Sequence, residues 1–352
     1  MIEEYVVIYN QYGKPLAEVE PSNIQRSWVL SGIGRGQMEL PLSDPKLSSD
    51  LIRYGNFVAV FSNAVPLWAG VIMPPTRISQ GVAQFSLYSG EALLKNRAIS
   101  LVTSSQGSPG AAFKKVIDRV RRKYQPNLET GDVRESGRKI SVTEPFRDAL
   151  DIVDLIVENS GEEFFFEPRI VNNHLRFFAH WKPRVGNVLA AKIRLVEGTN
   201  MSADFQLEEA GDVIDEVVVL GKGDDPESRP QITVTQEDMV GLFGRWSHVI
   251  EAFNVEEMDE LQNLGEKYLL ESGPPTYRLQ IDVLNVDNIW MQFGVGDTVM
   301  VELVSFDYSP SYVVPFKSQA RVLARSFNAS EGKMPIIVES YLDATFEEGI
   351  GS

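Results

Sequence analysis

Alternation between apolar and polar positions marks the first part of the chain. Tyr5-Val6-Val7-Ile8-Tyr9 is β-branched and aromatic, and Gln11-Tyr12-Gly13-Lys14-Pro15 supplies turn residues before the next run at 16–19. Further strands are expected at 38–42, 57–61, 68–73 and 83–88, with Gly or Pro in nearly every gap. Short strands at that spacing predict a small antiparallel barrel or sandwich.

The period then becomes helical. Ser108-Pro109 opens a helix with proline at its first position, where the missing N–H costs nothing, and Ala112, Phe113, Val116, Ile117 and Val120 recur at helical spacing. Arg121-Arg122-Lys123 closes it with cations that suit a helix C-terminus. The polar stretch from Gln125 to Ser141 reads as an exposed loop. A second helix is expected from about Thr143 to Asn159, with Phe146, Leu150, Val153 and Val157 as its stripe and Gly161 as its stop. Apolar runs at 164–167 and 175–181 flank Asn172-Asn173 and predict a hairpin.

From Lys192 alternation resumes, most strongly over 213–220, and 221–230 reads as a turn-rich loop. Asn254 and Glu257 form a capping box for a third helix, lined by Val255, Met258, Leu261, Leu264 and Tyr268 and ended by Gly273-Pro274-Pro275. Strands then run from Tyr277 to about Leu342.

The two alternating regions resemble each other at one offset. Gly55-Asn56-Phe57-Val58-Ala59-Val60 matches Gly296-Asp297-Thr298-Val299-Met300-Val301, and 296 − 55 = 241. Met38, Leu40 and Leu42 fall on Leu279, Ile281 and Val283, and 279 − 38 = 241. Each copy therefore has an inward-facing strand, a connection of fixed length, a Gly-Asn/Asp turn and a second inward-facing strand. Two more strands follow in each, 68–73 and 83–88 against 319–325 and 336–341.

Composition narrows what such a chain can do. At 352 residues it exceeds one usual core, and 43% hydrophobic with 23% charged residues is the balance of a folded protein. A net charge of −16, from 49 acidic and 33 basic residues, argues against a general nucleic-acid binder and suits a soluble one. The absence of cysteine excludes disulfides, thiolate zinc sites and cysteine nucleophiles. The opening Met-Ile-Glu-Glu-Tyr lacks the regions of a signal peptide, and no apolar run approaches the ~18 residues of a membrane span, so folding in a cytoplasm is expected.

Motifs for chemistry are scarce. His174, His180 and His248 stand in no metal-ligand spacing, although His174 and His180 share a strand face. Ser31-Gly32-Ile33-Gly34-Arg35-Gly36 precedes a strand rather than a helix, so it reads as a turn and not a phosphate cradle. The pairs Asp224-Asp225, Glu208-Glu209 and Glu256-Glu257 are sequence neighbours, which do not by themselves converge across a cleft as a glycosidase requires. Lys114-Lys115, Arg119 and Arg121-Arg122-Lys123 form the one cationic cluster, read as a solvated helix face.

Several segments resemble phage tail-tip and baseplate hub proteins: residues 5–16, the stretch 36–42 followed by 54–60, and Leu67-Trp68-Ala69-Gly70-Val71-Ile72, which is similar to their WxGxI strand. Residues 236–245, the helix 256–271 and Phe293-Gly294-Val295-Gly296-Asp297-Thr298-Val299 also fit, although a serine of the family pattern is absent near Val240. The resemblance covers nearly the whole chain and rests on the order of weak motifs. It implies a mainly β protein with two similar antiparallel β-barrel (tube-type) domains plus an α+β insert domain. The expected division is 1–95 as the first hub domain, 96–191 as the insert, 192–347 as the second hub domain with a loop-helix segment at about 241–274, and 348–352 as a tail. The implied function is structural and non-enzymatic: a homotrimeric ring closing the distal end of a tail tube, located at the virion tail tip after assembly in the host cytoplasm. Expected partners are the distal tail protein or tube ring, and a tip fibre, spike or tape-measure protein, with DNA only in transit and no cofactor or metal. The alternatives are a receptor- or carbohydrate-binding tail-tip module and a cell-wall lysin. Some relatives carry C-terminal extensions with cleaving functions, whereas this chain stops at Ser352 soon after its last barrel strand. A ring around the DNA path is expected to have a neutral to negative lumen, with Glu39, Asn56, Asp297 and Glu302 as candidate lumen-facing residues.

Overall fold

The computed structural model describes residues 4–79, 81–102, 107–210, 214–223, 229–237, 245–253, 255–272, 276–303, 307–309, 312–313, 316–328 and 332–341. Two compact units divide the chain: Met1–Val185 with Ala324–Met334, and Gly186–Leu323 with Pro335–Ser352. Mainly β structure in several sheets fills both.

In the first unit, seven strands precede the insert: β1 (Glu4–Tyr9), β2 (Pro15–Val19), β3 (Asn23–Val29), β4 (Arg35–Pro41), β5 (Phe57–Ser62), β6 (Val65–Ser79) and β7 (Val82–Ser89). Their hydrogen-bonded order is β3-β4-β7-β6-β5-β1-β2, antiparallel throughout, and residues 324–328 pair antiparallel with the free side of β3. Among the described residues these strands do not close into a single barrel. Pro15 opens the terminal strand β2 and Pro21 follows it, and residues without an N–H suit a sheet edge.

Strand β5 explains how this unit is layered. All six of its residues are buried, where a sheet facing water would expose every second one. Val58 and Val60 point into a core shared with Ile8, Met38, Leu40, Trp68, Ile72, Phe85 and Leu87. Phe57, Ala59 and Phe61 point the other way, into a core shared with Phe113, Ile117, Ile152, Phe164, Phe177 and Trp181 of the insert. Strand β6 splits likewise, Trp68 and Ile72 to one side, Ala69 and Val71 to the other. Gly70 is required by this packing, because a Cβ there would lie 2.3 Å from the Trp68 ring.

The insert contains β8 (Ala98–Val102), α1 (Pro109–Lys123), β9 (Leu128–Val133), β10 (Thr143–Asp148), α2 (Ala149–Ser160), β11 (Glu163–Val171) and β12 (His174–Lys182). Helix α1 follows its sequence pattern: the Ser108 hydroxyl accepts from the Ala111 N–H at 3.2 Å, and all five expected stripe residues are buried. The hairpin β11–β12 turns at Asn172 and Asn173, whose φ values of 50° and 61° are the left-handed pair of a type I′ turn.

Two expectations fail here. Residues 143–148 are a strand paired with β8, and the helix begins only at Ala149, capped by Asp148. Pro145 keeps Glu144 extended, and pairing with β8 carries the strand on to Asp148, so Phe146 lies outside the helix and is 78% exposed. Within the polar stretch 125–141, residues 128–133 form β9, which pairs parallel with β12 and buries Leu128. Tertiary pairing overrides a weak local strand preference.

The later strands are β13 (Arg194–Val196), β14 (Met201–Ala210), β15 (Glu216–Leu220), β16 (Gln231–Thr235), β17 (Ser247–Glu251), β18 (Thr276–Leu284), β19 (Thr298–Leu303), β20 (Asp307–Ser309), β21 (Tyr312–Val313), β22 (Phe316–Asn328) and β23 (Lys333–Tyr341), all of the second unit except residues 324–328 of β22 and 333–334 of β23. Helix α3 (Met258–Ser272) packs on the small sheet β16-β15-β17 through Leu261 and Leu269. Gly265 allows that approach, since a Cβ would meet Val234 at 2.7 Å. Residues 255–257 precede the helix rather than starting it, and the proposed cap Asn254, the stop 273–275 and most of the motif 236–245 lie outside the described residues. No helix among the described residues is long and apolar enough to cross a membrane.

Candidate functional site

The sequence repeat is a structural repeat. In the first copy the hydrogen-bonded order is β3-β4-β7-β6-β5-β1, and in the second it is β14-β18-β23-β22-β19-β13. Position by position the six strands correspond. The inward residues Leu279, Ile281, Val299, Val301, Val322 and Val338 are all buried, as their counterparts are. Two details differ. Leu42 is exposed beyond the end of β4 although its counterpart Val283 is buried. The sixth strand also differs, since β1 runs antiparallel to β5 while β13 runs parallel to β19.

The Gly-Asn/Asp turns match down to their backbone hydrogen bonds. Gly55 and Gly296 have φ of 87° and 90°, a left-handed conformation that glycine adopts without steric cost. The Gly55 N–H donates to Ile72 O at 3.0 Å and the Ile72 N–H donates to Asn56 O at 2.8 Å. In the second copy the Gly296 N–H donates to Val322 O at 2.8 Å and the Val322 N–H donates to Asp297 O at 2.9 Å.

Asn56 and Asp297, nominated for a lumen wall, are instead buried at the base of these turns. The Asn56 amide donates to Asp50 O and Leu51 O at 2.7 and 3.0 Å. The Asp297 carboxylate accepts from Gly294 N and Asn187 N, each at 2.7 Å. One copy needs a donor and the other an acceptor, which accounts for the amide in one and the carboxylate in the other. Neither side chain faces solvent in the folded chain.

Glu39 and Glu302 sit on strand faces and are half-buried. Glu39 accepts from the side-chain amides of Gln37 at 3.3 Å and Gln84 at 2.9 Å. Glu302 is held by the Arg194 guanidinium and lies 3.3 Å from Lys317. The Arg194 hydrogen bond, aided by Lys317, holds its carboxyl below the usual range. At offset 241 Glu302 corresponds to Phe61, so an outer face that is apolar and covered by the insert in one copy is ion-paired in the other.

The roles of three buried polar groups are not legible in the sequence because their partners are distant in the chain. Glu91 accepts from the Ser89 hydroxyl at 2.5 Å and from Phe166 N–H at 2.9 Å, and burial pushes its carboxyl pKa up. Glu162 accepts from Ser136 N–H at 2.9 Å and from the Trp181 indole. His180 accepts from Asp132 N–H through Nδ1 at 3.0 Å, stacks on Phe165 at 4.6 Å, and has its pKa pushed down by burial. Its Nε2 lies 3.1 Å from Glu167, and His174 turns to Asn172 O at the other end of the strand. Each of these groups holds backbone in place.

A depression of about 450 Å³ is lined by Asn10, Gln11, Tyr12, Leu16, Asp50, Arg53 and Asn56. Several of its polar groups are already engaged: Asn10 Oδ1 accepts from Tyr12 N and Lys14 N, and Asp50 pairs with Arg53 at 2.9 Å. No nucleophile-base pair is among the residues that line it. No cluster of three metal-ligating side chains occurs among the described residues.

No protein-family model matches the sequence, and no curated protein does so either. Solved structures do match in fold. The 43 kDa tail protein of prophage MuSo2 from Shewanella oneidensis superposes with a TM-score of 0.64 at 10% identity, covering 96% of this chain and 98% of that one. Prophage tail protein gp18 from Listeria monocytogenes gives 0.61 at 10% identity over 95% and 94% of the two chains. The tail protein from Neisseria meningitidis gives 0.58 at 13% identity over 96% of each. The chain has, over nearly its whole length, the fold of these tail proteins.

Proposed function

We propose that the chain is a structural hub of a phage tail tip: three copies form a ring that closes the tail tube, joins it to a tip fibre, spike or tape-measure protein, and lets DNA through. The observation that carries this reading is the duplicated six-strand set in a chain whose fold is that of prophage tail proteins. A tube of six-fold rings meeting a three-fold tip needs an adaptor, and three chains with two similar sheets each present six quasi-equivalent surfaces. On this reading 1–95 and 192–347 are the two hub domains, 96–191 and about 241–274 are inserts, and 348–352 is a tail.

The role is mechanical and non-enzymatic, and the chain resides at the virion tail tip after assembly in the host cytoplasm. Buried carboxylates that hold backbone N–H groups support the mechanical role. Any lumen charge falls to Glu39 rather than to the buried Asn56 and Asp297, and Glu302 contributes less because two cations accompany it.

Light scattering tests the reading on the isolated protein. A mass of three chains, at high concentration or on addition of tail tubes, is the expected result, and a closed two-fold dimer would overturn it. Zymography on cell wall is expected to show no cleared band, and a band would favour a lysin.

A further inference from the structure

Helix α1 carries Lys114, Lys115, Arg119, Arg121, Arg122 and Lys123 outside its buried stripe, against one acid, Asp118. A helix face made only for solubility mixes the two signs. This one concentrates six cations within ten residues of a chain whose net charge is −16. Among the described residues only Arg121 forms an ion pair there, with Glu129 at 2.9 Å. The β8–β10 ribbon, whose β8 packs against α1, adds Phe146 and Val102, exposed by 78% and 61%. Cations beside an exposed aromatic are the composition of an interface rather than of a plain solvated face.

The chain also carries the complement. Glu256, Glu257, Asp259 and Glu260 crowd the start of α3, beside Phe253 and Met258, exposed by 57% and 45%. Only Glu256 has a cationic partner among the described residues, Lys222 at 2.6 Å. Burial and the neighbouring Glu257 push the Glu260 carboxyl up, so the run repels itself. A ring closes through two different patches, one from each neighbour, and these two have opposite sign with apolar residues beside both.

We propose that the basic face of α1 docks on the acidic run at residues 256–260 of a second copy of this chain. The contact rests on the hub reading and gives it a specific head-to-tail interface.

Charge reversal tests it. One variant carries Lys114→Glu, Lys115→Glu and Arg122→Glu, and the other carries Glu256→Lys, Glu257→Lys and Asp259→Lys. Circular dichroism checks that both are folded. Sedimentation at low salt should show each variant associating roughly 10–100-fold more weakly than the natural chain. A 1:1 mixture should associate again, because both the natural and the reversed contact are charge-matched between unlike variants. It should not close a three-chain ring, in which two like variants must meet, whereas a chain with both sets should recover the ring. Association of the natural chain should itself weaken as salt shortens the Debye length to ~3 Å. Rings that form unchanged in both variants would overturn the contact and leave the hub reading intact. A natural chain that never associates would overturn both. Unchanged rings together with loss of duplex-DNA binding in the first variant would reassign the basic face to nucleic acid.

Discussion

Glu91 joins the strand region to the insert, and replacing it separates three quantities that the structure fixes. Its Oε2 accepts from the Ser89 hydroxyl, whose oxygen in turn accepts from Gly34 N–H at 2.8 Å, and its Oε1 accepts from Phe166 N–H in β11. Truncation by Glu91→Ala strands the Phe166 N–H in a dry site, at about 1–3 kcal/mol, and opens a small cavity, so a total loss of about 2–4 kcal/mol is expected. Glu91→Gln keeps the acceptor for Phe166 and can donate to Ser89, so near neutral pH it should lie within about 1 kcal/mol of the natural chain or exceed it. The pH dependence has a definite sign. Burial raises the folded carboxyl above its ordinary 4.5, against the opposing hydrogen bonds from Ser89 and the backbone. Its favourable contribution is therefore complete below the ordinary range and is lost as pH rises through the folded value. Urea unfolding between pH 4 and 8 should show the Gln variant gaining on the natural chain as pH rises. A constant difference, or a Gln variant that loses ground at high pH, would refute the buried, elevated carboxyl.

Four further outcomes follow from single positions. Asp297→Ala frees two backbone N–H groups and should cost about 2 kcal/mol or more, with Asp297→Asn recovering only part of it in thermal melts. Gly131→Ala places a Cβ 2.7 Å from the His180 ring, so it should destabilise by about 1–3 kcal/mol and disturb the Phe165–His180 stacking as seen in ring-proton chemical shifts. Gly265→Ala drives a Cβ to 2.7 Å from Val234 and should raise amide exchange in β16 and α3 while leaving the first unit unchanged. Replacing Glu39 by Lys in assembled particles should slow DNA release at low salt, and unchanged kinetics would remove lumen charge from the account.

The duplicated strands could be read from the sequence because two local rules coincide there. Only glycine sits easily at φ near 90°, and each glycine is followed by alternating apolar residues at a fixed distance from another alternating strand. Helix α1 and the Asn172-Asn173 hairpin were legible for similar reasons, since a proline start, a cap and a paired left-handed turn all lie within a few residues. Strands β9 and β10 were not. Each is polar in sequence and exists through a partner far along the chain, β12 for one and β8 for the other. The candidate residues divided along the same line. Alternation placed Glu39 and Glu302 on strand faces, but it could not reveal that Asn56 and Asp297 turn inward to hold loop backbone. Nor did alternation reveal the complete burial of β5, because it assigns a strand one inward face and the insert that covers the other lies far along the chain.

The measurement that bears most directly on the hub reading is electron microscopy of the assembled protein viewed down its symmetry axis. A ring of three chains, in which the two strand sets of each chain alternate as six similar lobes around a central channel, is what the duplicated fold leads us to expect. A two-fold particle, or a ring in which only one strand set of each chain borders the channel, would contradict it.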